Sequence, residues 1–481
     1  MSLSSYPICI YNLYWERFCG DGFFVSHLDD FVLLFCLLII IVISMQQQII
    51  WLIQQAIHHP KLTTDSRKSL KRDFAKLHKL HHIPANSEIQ KIYLEVIQQW
   101  LITPHKNLEY VLRKRKVRSE SGIVPIQVLT KPFWCPGKCI FCPNDFTMPK
   151  SYINTEPGAM RALLNHFDPY KQAYNRLVSL TMTGHATDKI EMIILWGTRD
   201  VYPADYKHDF VRWLYDACNT FDQYRSQGKD PQGKYDTAHR KKDESDYDFS
   251  SHLEQAQIRN ETASHRIIGL TVETRPEYVT DVNCQFWRNL GVTRLEMGIQ
   301  SLFDDVLDAN KRGHSVQQCR EAIHRLRQYG FKISVHFMSG LYQSNYQKDI
   351  QTFQKAFDDP RIRPDEIKFY PTGVIPNTEL YELYRRGEYQ IQSVDEMKQL
   401  IREIQINHIP PYTRIKRLIR DIPANEVIWG NYVTNLRQLV MQEMEEEFAH
   451  DPKKRIWQYH KLYGDQVQYF DTVWDWLNTL T

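Results

Sequence analysis

Three of the cysteines stand close together in the sequence, at Cys135, Cys139 and Cys142. Their C-x3-C-x2-C spacing lets three thiolates of one loop ligate three irons of a [4Fe-4S] cubane, which leaves a position on the fourth iron open. The amino and carboxylate groups of S-adenosylmethionine (SAM) can fill that position. One electron from the cluster can then cleave SAM to a radical, so that the cofactors supply the difficult chemistry and the protein positions them. The spacing therefore predicts a cluster that binds and cleaves SAM.

A structural zinc site is the alternative interpretation of the same cysteines. Such a site uses four ligands, commonly as two closely spaced pairs. The next cysteine along the chain is Cys218, so no fourth cysteine lies nearby. The motif also follows directly after an apolar run, Ile123–Thr130, that has the length of a strand. A loop at a strand end favours the cluster over zinc.

Short β-branched runs alternate with helical stretches from residue 123 onward, which is typical of repeated βα units with a parallel sheet. Six runs have the length of a strand: Ile123–Thr130, Ile190–Trp196, Ile267–Val272, Thr293–Ile299, Phe331–Phe337 and Glu366–Tyr370. They predict an α/β fold, a radical SAM partial (β/α)6 barrel rather than a closed eight-stranded one. In such barrels the chemistry occurs at the carboxyl ends of the strands, where the cysteines lie.

The composition and the N-terminal sequence indicate in which compartment the protein works. The net charge is only +3, so any nucleic-acid contact must rest on local basic patches. The nine cysteines do not form a secreted disulfide framework and indicate a reducing, cytoplasmic compartment. As a helix, the apolar run Phe31–Met45 would reach about 22 Å, short of a roughly 30 Å hydrocarbon core, so we do not expect a membrane partner. A misassigned start before Met45, a membrane-associating segment and a signal peptide stay open as interpretations.

Long runs between residues 85 and 437 are shared with one family. They include SGIVPIQVLTKP before the cysteines and IGLTVETRPEY, GVTRLEMGIQS and KFYPTGVIPNTELYELYRRGEY after them. In these runs the sequence resembles the catalytic subunit of Elongator, the tRNA wobble-uridine acetyltransferase family. The resemblance implies a radical SAM enzyme that makes a 5-carboxymethyl-type modification, with the cluster, SAM and acetyl-CoA as cofactors. It also implies the tRNA anticodon loop and an electron donor as partners.

The resemblance further implies which residues contact SAM. Glu273 and Arg275 are expected to pair at the end of the third strand and to bind the ribose and carboxylate, with a purely structural ion pair as the alternative. Gln300 is expected to face the cofactor or to support it through a hydrogen bond. Gly197 and Thr198 should approach the amino group of SAM, although Trp196 stands where the family has glycine.

Two further contacts are implied by the resemblance. Lys189 matches a family lysine that touches acyl-CoA, with an ordinary surface lysine as the alternative. His336 is retained on the fifth strand, where a packed core residue is the alternative.

Three basic groups could neutralise tRNA phosphates, although each could also be a solvated face. The residues singled out are Lys68, Lys71, Arg72, Arg113, Lys114, Arg115 and Arg417, and the last group also contains Arg414, Lys416 and Arg420.

The largest departure from the family follows Pro423, where 58 residues contain no loop that could hold the CoA pyrophosphate. We therefore expect a separate acetyltransferase to act in trans. The alternatives are a degenerate tRNA-binding protein with a structural cluster and a radical SAM enzyme with another substrate.

The expected parts are an apolar leader at 1–44, an N-terminal helical tRNA-contacting segment at 45–105, the radical SAM core at 106–375, the C-terminal part of that region at 376–424 and a helical tail at 425–481. The polar stretch Gln223–His265 is expected to be mostly a solvated loop.

Overall fold

The structure is a computed structural model, and it describes residues 46–114, 119, 121–143, 145, 147–195, 201–226, 252–420, 422–423, 426–427 and 436–448. The chain divides into two compact units, Met1–Arg113 and Lys114–Thr481. The apolar leader, Arg115, Gly197 and Thr198 lie outside the described residues, and so do the predictions made for them. Within the described ranges, no helix has both the length and the apolar character needed to cross a membrane.

The described part of the first unit is helical. Its helices are α1 (46–57), α2 (Thr64–Leu77), α3 (Asn86–Gln98) and α4 (Lys106–Leu112). Apolar residues at helical spacing form a separate core that includes Ile53, Phe74 and Tyr93. The hydroxyl of Thr63 caps α2 by accepting a hydrogen bond from the Ser66 main-chain N–H at 3.2 Å.

The second unit is built on seven parallel strands that neighbour one another in chain order and form a curled half-barrel. The strands are β1 (Val124–Leu129), β2 (Lys189–Leu195), β3 (Arg266–Thr274), β4 (Arg294–Gln300), β5 (Lys332–Ser339), β6 (Glu366–Pro371) and β7 (Arg414–Arg417). The six predicted strands and the radical SAM partial-barrel fold are therefore confirmed. The seventh strand was not predicted, because its four residues are mostly charged and lack an apolar run.

Most helices of the second unit cover the outer face of the sheet. The helices are α5 (Pro157–Leu164), α6 (Pro169–Met182), α7 (Ala204–Ser226), α8 (Leu253–Glu261), α9 (Asp281–Asn289), α10 (Asp304–Ala309), α11 (Val316–Gln328), α12 (Tyr346–Asp358), α13 (Glu379–Arg385), α14 (Val394–Glu403) and α15 (Leu436–Phe448). The loop prediction for Gln223–His265 is wrong at both ends. There α7 and α8 pack apolar side chains such as Tyr224 and Ala256 into the main core.

The two faces of the sheet differ in chemistry because side chains alternate along a strand. On β4, Leu295, Met297 and Ile299 belong to the main apolar core under the helices. Arg294 and Glu296 lie on the opposite, concave face. The interior of the half-barrel is consequently polar.

Candidate cofactor site at the carboxyl ends of the strands

The loop after β1 carries the three motif cysteines, all of them half-buried thiols rather than disulfides. The main-chain N–H of Cys142 donates to the carbonyl of Cys139 at 3.2 Å and closes the loop on itself. Main-chain hydrogen bonds also join Ile140 to the carbonyl of Asn310 and the N–H of Leu380. The fold thus holds the cysteines at the carboxyl edge of the sheet, as the motif predicted.

Positive charge surrounds the middle cysteine. Arg312 Nη1 lies 3.0 Å from Cys139 Sγ, and Arg275 Nη1 lies 3.8 Å from it. Gly137 lies close beside them, and a Cβ at this position would force the Arg275 guanidinium to shift. Burial and the neighbouring Cys139 raise the pKa of the Cys142 thiol to about 12. A thiolate at this position therefore requires a strong positive partner such as a metal.

The three motif sulfurs are spread more widely than the ligands of one zinc ion. Three ligands of one zinc ion, each about 2.3 Å from it, would lie within roughly 4.6 Å of one another. Among the described residues, three potential ligand atoms come within 4.8 Å of one another at Glu273, Glu296 and His336, and the three sulfurs do not. The other described cysteines, which are Cys218, Cys284 and Cys319, are buried in the apolar core.

A cavity of about 810 Å³ lies beside the cysteine loop. Phe141 and Cys142 line it on one side, and every strand of the half-barrel contributes at least one residue. Its polar lining includes Gln127, Tyr152, Glu156, Arg161, Arg176, His185, Glu273, Gln300, His336, Lys368, Arg417 and Arg420. A concave polar site at this edge is where a parallel half-barrel binds its ligands.

Glu273 lies in this cavity without the partner expected from the sequence. Its carboxylate accepts hydrogen bonds of 3.0 and 3.1 Å from the hydroxyl of Tyr152. Burial raises the pKa of Glu273 to about 7, and the positive charge of Lys368 opposes this shift. The carboxyl group therefore keeps its proton to a higher pH than an ordinary glutamate does.

Arg275 forms its ion pair with Glu277, at 2.5 Å, and the predicted Glu273–Arg275 pair is wrong. The reason is local: β3 ends at Thr274, and Arg275 turns out of the strand into the 3-10 helix Pro276–Tyr278. The strand alternation is lost there, so Arg275 reaches the cysteine loop while Glu273 stays in the barrel.

Gln300 lines the cavity at the end of β4. Its φ of 76° lies in the left-handed region, which a non-glycine residue adopts at a cost of order 1–3 kcal/mol. Its Oε1 is buried and has no hydrogen-bond partner among the described residues. An unsatisfied buried oxygen that faces a cavity is a candidate ligand contact.

Lys189 is not brought to this site. It begins β2, at the amino edge of the sheet, where its Nζ lies 3.1 Å from the exposed carboxylate of Asp188. The rest of the seven-residue strand separates it from the carboxyl edge by about 20 Å.

The basic residues selected for tRNA have different environments. On α2, Lys68 pairs with Asp65 at 3.0 Å, Arg72 is exposed, and the Lys71 ammonium donates to Asn86 Oδ1 at 3.1 Å. Arg113 is half-buried at the end of α4. In the second unit, Lys114 is exposed, and both Lys114 and Arg417 line the cavity.

Two members of the last basic group neutralise interior carboxylates. Lys416 Nζ lies 2.8 Å from Glu191 Oε1 and 3.4 Å from Glu296 Oε1. Arg420 Nη2 lies 2.7 Å from Glu156 Oε1. Their assignment to phosphate contacts is therefore corrected. Their position in or after a parallel strand directs them into the half-barrel.

Several interior residues were missed from the sequence: Tyr152, Arg161, Arg176 and Lys368 line the cavity, and Glu296 pairs with Lys368. The alternation of polar and apolar residues in RLEMGIQ, on β4, was the available signal for Glu296. Tyr152, Arg161 and Arg176 lie outside the strands. No pattern of spacing marks them as neighbours of the cysteines.

Comparison with known proteins finds similarity over the part of the chain that forms the half-barrel. The profile of the radical SAM superfamily matches residues 129–356, and that of the radical SAM C-terminal domain matches residues 364–446. The chain is 36% identical to the tRNA uridine(34) acetyltransferase of Methanocaldococcus jannaschii over 79% of its own length and 66% of the relative. It is 34% identical to human Elongator complex protein 3 over 70% of its own length and 58% of the relative.

A solved structure is also similar, that of archaeal Methanocaldococcus infernus Elp3 with an N-terminal deletion. Its TM-score is 0.54 at 32% identity, over 68% of this chain and 63% of that one. The chain spans slightly less than two thirds of the length of the curated archaeal relatives named tRNA uridine(34) acetyltransferase.

Proposed function

Because the chain belongs to the radical SAM superfamily, and within it to the family of the tRNA uridine(34) acetyltransferases and Elongator complex protein 3, we propose that it acts on uridine 34 of tRNA. The product would be a 5-carboxymethyl-type modification. The observation that supports this most strongly is the cysteine loop at the carboxyl edge of a parallel half-barrel, beside a polar cavity of about 810 Å³.

The proposed cofactors are a [4Fe-4S] cluster held by Cys135, Cys139 and Cys142, with SAM in the adjoining cavity. When bound, these cofactors supply the electron and the radical. The chain itself supplies positive charge beside Cys139 and a polar wall that includes Glu273 and Gln300. Gly197 and Thr198, which lie outside the described residues, remain proposed SAM contacts.

Cluster binding can be tested directly. Anaerobically reconstituted protein should bind about four irons, and each change of a motif cysteine to Ala should abolish the iron–sulfur absorption. Cys284→Ala, in the apolar core, is the matched control and should keep the cluster. Stoichiometric zinc without iron would contradict the proposal. A cluster that never yields 5′-deoxyadenosine from SAM and dithionite would favour the degenerate tRNA-binding protein.

We propose that tRNA phosphates contact the basic rim of the cavity. Lys114, Arg161 and Arg176 line this cavity, together with Arg417. Lys68, Lys71 and Arg72 on α2 and Arg113 at the end of α4 are proposed contacts of the first unit, and Arg115, beyond the described residues, is a further one. The uridine itself must be unstacked to enter such a cavity.

Neutralising the rim should weaken tRNA binding without changing its sequence preference, since phosphate contacts carry no base information. Lys114→Gln, Arg161→Gln and Arg176→Gln should each lower the slope of log affinity against log salt by roughly one. Lys189→Gln, the same loss of charge at a lysine that pairs with Asp188 and does not line the cavity, is the control. Equal effects of all four changes would contradict a rim-specific contact.

Acetyl-CoA is the proposed acyl donor, and Lys189 is its proposed contact. One exposed charge contributes about 1 kcal/mol at most, against the roughly 8 kcal/mol of micromolar binding. We therefore propose that a separate acetyltransferase assists and that an external protein donates the electron. The chain alone, with dithionite, should yield 5′-deoxyadenosine by chromatography but no modified uridine by mass spectrometry. Modified uridine made by this chain alone from acetyl-CoA would contradict the need for that partner.

A further inference from the structure

The three motif cysteines have unequal electrostatic surroundings. Cys139 Sγ faces two guanidinium groups, with Arg312 Nη1 at 3.0 Å and Arg275 Nη1 at 3.8 Å. Cys135 Sγ accepts from the main-chain N–H of Gly137 at 3.3 Å, and of the two guanidinium groups the charge of Arg275 also acts on it. Charge-assisted hydrogen bonds are roughly twice as strong as neutral ones. The Cys139 corner is therefore the more strongly stabilised position for negative charge.

The fold fixes Arg312 in place through the turn between α10 and α11. Lys311 and Gly313 on either side of it have φ angles of 53° and 72°, so the turn passes through the left-handed region twice. The Arg312 side chain is buried, and its Nη2 donates to the carbonyl of Gly298 on β4 at 2.6 Å. The Arg312 carbonyl accepts a hydrogen bond from Arg275. The guanidinium is thus held against Cys139 from both the sheet and the turn.

The two arginines differ in how far their charge is compensated. Arg275 is paired with Glu277 at 2.5 Å, and this carboxylate cancels much of its field. No carboxylate within the described ranges lies within ion-pair distance of Arg312. His314 is close to Glu277 at 3.4 Å, and burial lowers the pKa of His314, which favours its neutral form. Arg312 therefore contributes the larger net positive charge at the sulfur.

We propose that Arg312 is a positioning residue that raises the reduction potential of the cluster through its hydrogen bond to Cys139. The inference rests on the proposed cluster and goes beyond it. Reduction adds one negative charge to the cluster. A buried cation at a ligand sulfur stabilises that reduced state more than the oxidised one. Arg275 acts in the same direction but more weakly, because it is farther away and its charge is offset.

The test is a redox titration of the reconstituted protein. Electron paramagnetic resonance measures how much of the cluster is reduced, and the iron content shows how much cluster each variant holds. Arg312→Gln should lower the midpoint by about 59 mV, so that the ratio of reduced to oxidised cluster at the wild-type midpoint potential falls about tenfold. Arg312→Lys should restore part of the shift, and Arg275→Gln should give a smaller one. The matched control is Arg320→Gln, on α11 and paired with Asp359, which should leave the midpoint unchanged.

Each outcome bears on a different claim. An unchanged midpoint in Arg312→Gln with full iron content would overturn this inference and leave the proposed function standing. A wild-type chain that binds no iron would overturn both. If Arg312→Gln loses its iron, Arg275→Gln still decides the question, because a wild-type midpoint after removal of that guanidinium would refute the role of guanidinium charge at Cys139.

Discussion

Two polar regions inside the half-barrel differ in how their charges are satisfied. The first, which we call the paired layer, joins carboxylates and cations across the strands; it consists of Glu191, Arg294, Glu296, Glu366, Lys368 and Lys416. The second, which we call the cavity floor, consists of Tyr152, Glu273, Gln300 and His336. In the paired layer each carboxylate meets at least one cation, whereas the floor has a raised carboxyl pKa and an unsatisfied amide oxygen.

The difference distinguishes charged groups that stabilise the fold from polar groups that can bind a ligand. Buried ion pairs of complementary sign hold neighbouring strands in register and leave little capacity for another ligand. Groups with perturbed pKa values or missing partners, facing a cavity, are the ones that a ligand can satisfy. His336 connects the two regions: its Nε2 lies 3.5 Å from Glu296, and burial lowers its pKa to about 4, so the ring is neutral.

The largest expected effect comes from breaking the paired layer. Glu296→Ala should destabilise the fold by about 3–5 kcal/mol, because it leaves Lys368 and Lys416 buried without a shared carboxylate. Urea unfolding measures this change. Glu388→Ala, which removes the exposed partner of Arg386, is the control and should alter the midpoint little. Similar midpoints for the two variants would show that the layer is not structural.

A smaller effect is expected on the cavity floor, and it depends on pH. The pKa of Glu273 is about 7 in the fold against 4.5 as the ordinary value, so its protonated form contributes stability that is complete below about pH 4.5 and is lost as pH rises through 7. Lys368, Glu296, Arg420, Tyr152 and His336 face it. Glu273→Gln should therefore lose less thermal stability than wild type between pH 6 and pH 8. If both proteins lost the same thermal stability between pH 6 and pH 8, a group other than Glu273 would be responsible for the loss.

The smallest expected effect is on the hydrogen bond between Tyr152 and Glu273. Tyr152→Phe should cost about 1 kcal/mol, as for an ordinary hydrogen bond. It should also raise the pKa of Glu273 further, because the ionised carboxylate loses its donor. The measurement is the pH at which thermal stability falls, which should move upward. Tyr206→Phe is the control, since its hydroxyl accepts from Lys131 N away from Glu273. A downward shift would contradict the assigned direction of the hydrogen bond.

The sequence was sufficient to predict the features that depend on a local pattern of residues, which are the cysteine loop and six of the strands. The cysteine spacing and the six apolar runs located the loop and the strands, because a strand buried under helices needs a continuous apolar face. The pairing of Glu273 could not be predicted, since it depends on the residue at which β3 ends and on Tyr152, 121 residues away. Lys416 and Arg420 were assigned to phosphate because charged residues are usually exposed, and only the tertiary structure places them inside.

The late position of β7 in the chain affects how the protein reaches its fold. Lys416 is 225 residues from Glu191, the carboxylate to which it is bonded. At a synthesis rate of roughly 5–20 residues per second, Glu191 is made on the order of 10–45 s before this cation. Until then Glu191 can meet Arg294 but not its second cation. The last strand therefore completes the charge balance of the interior.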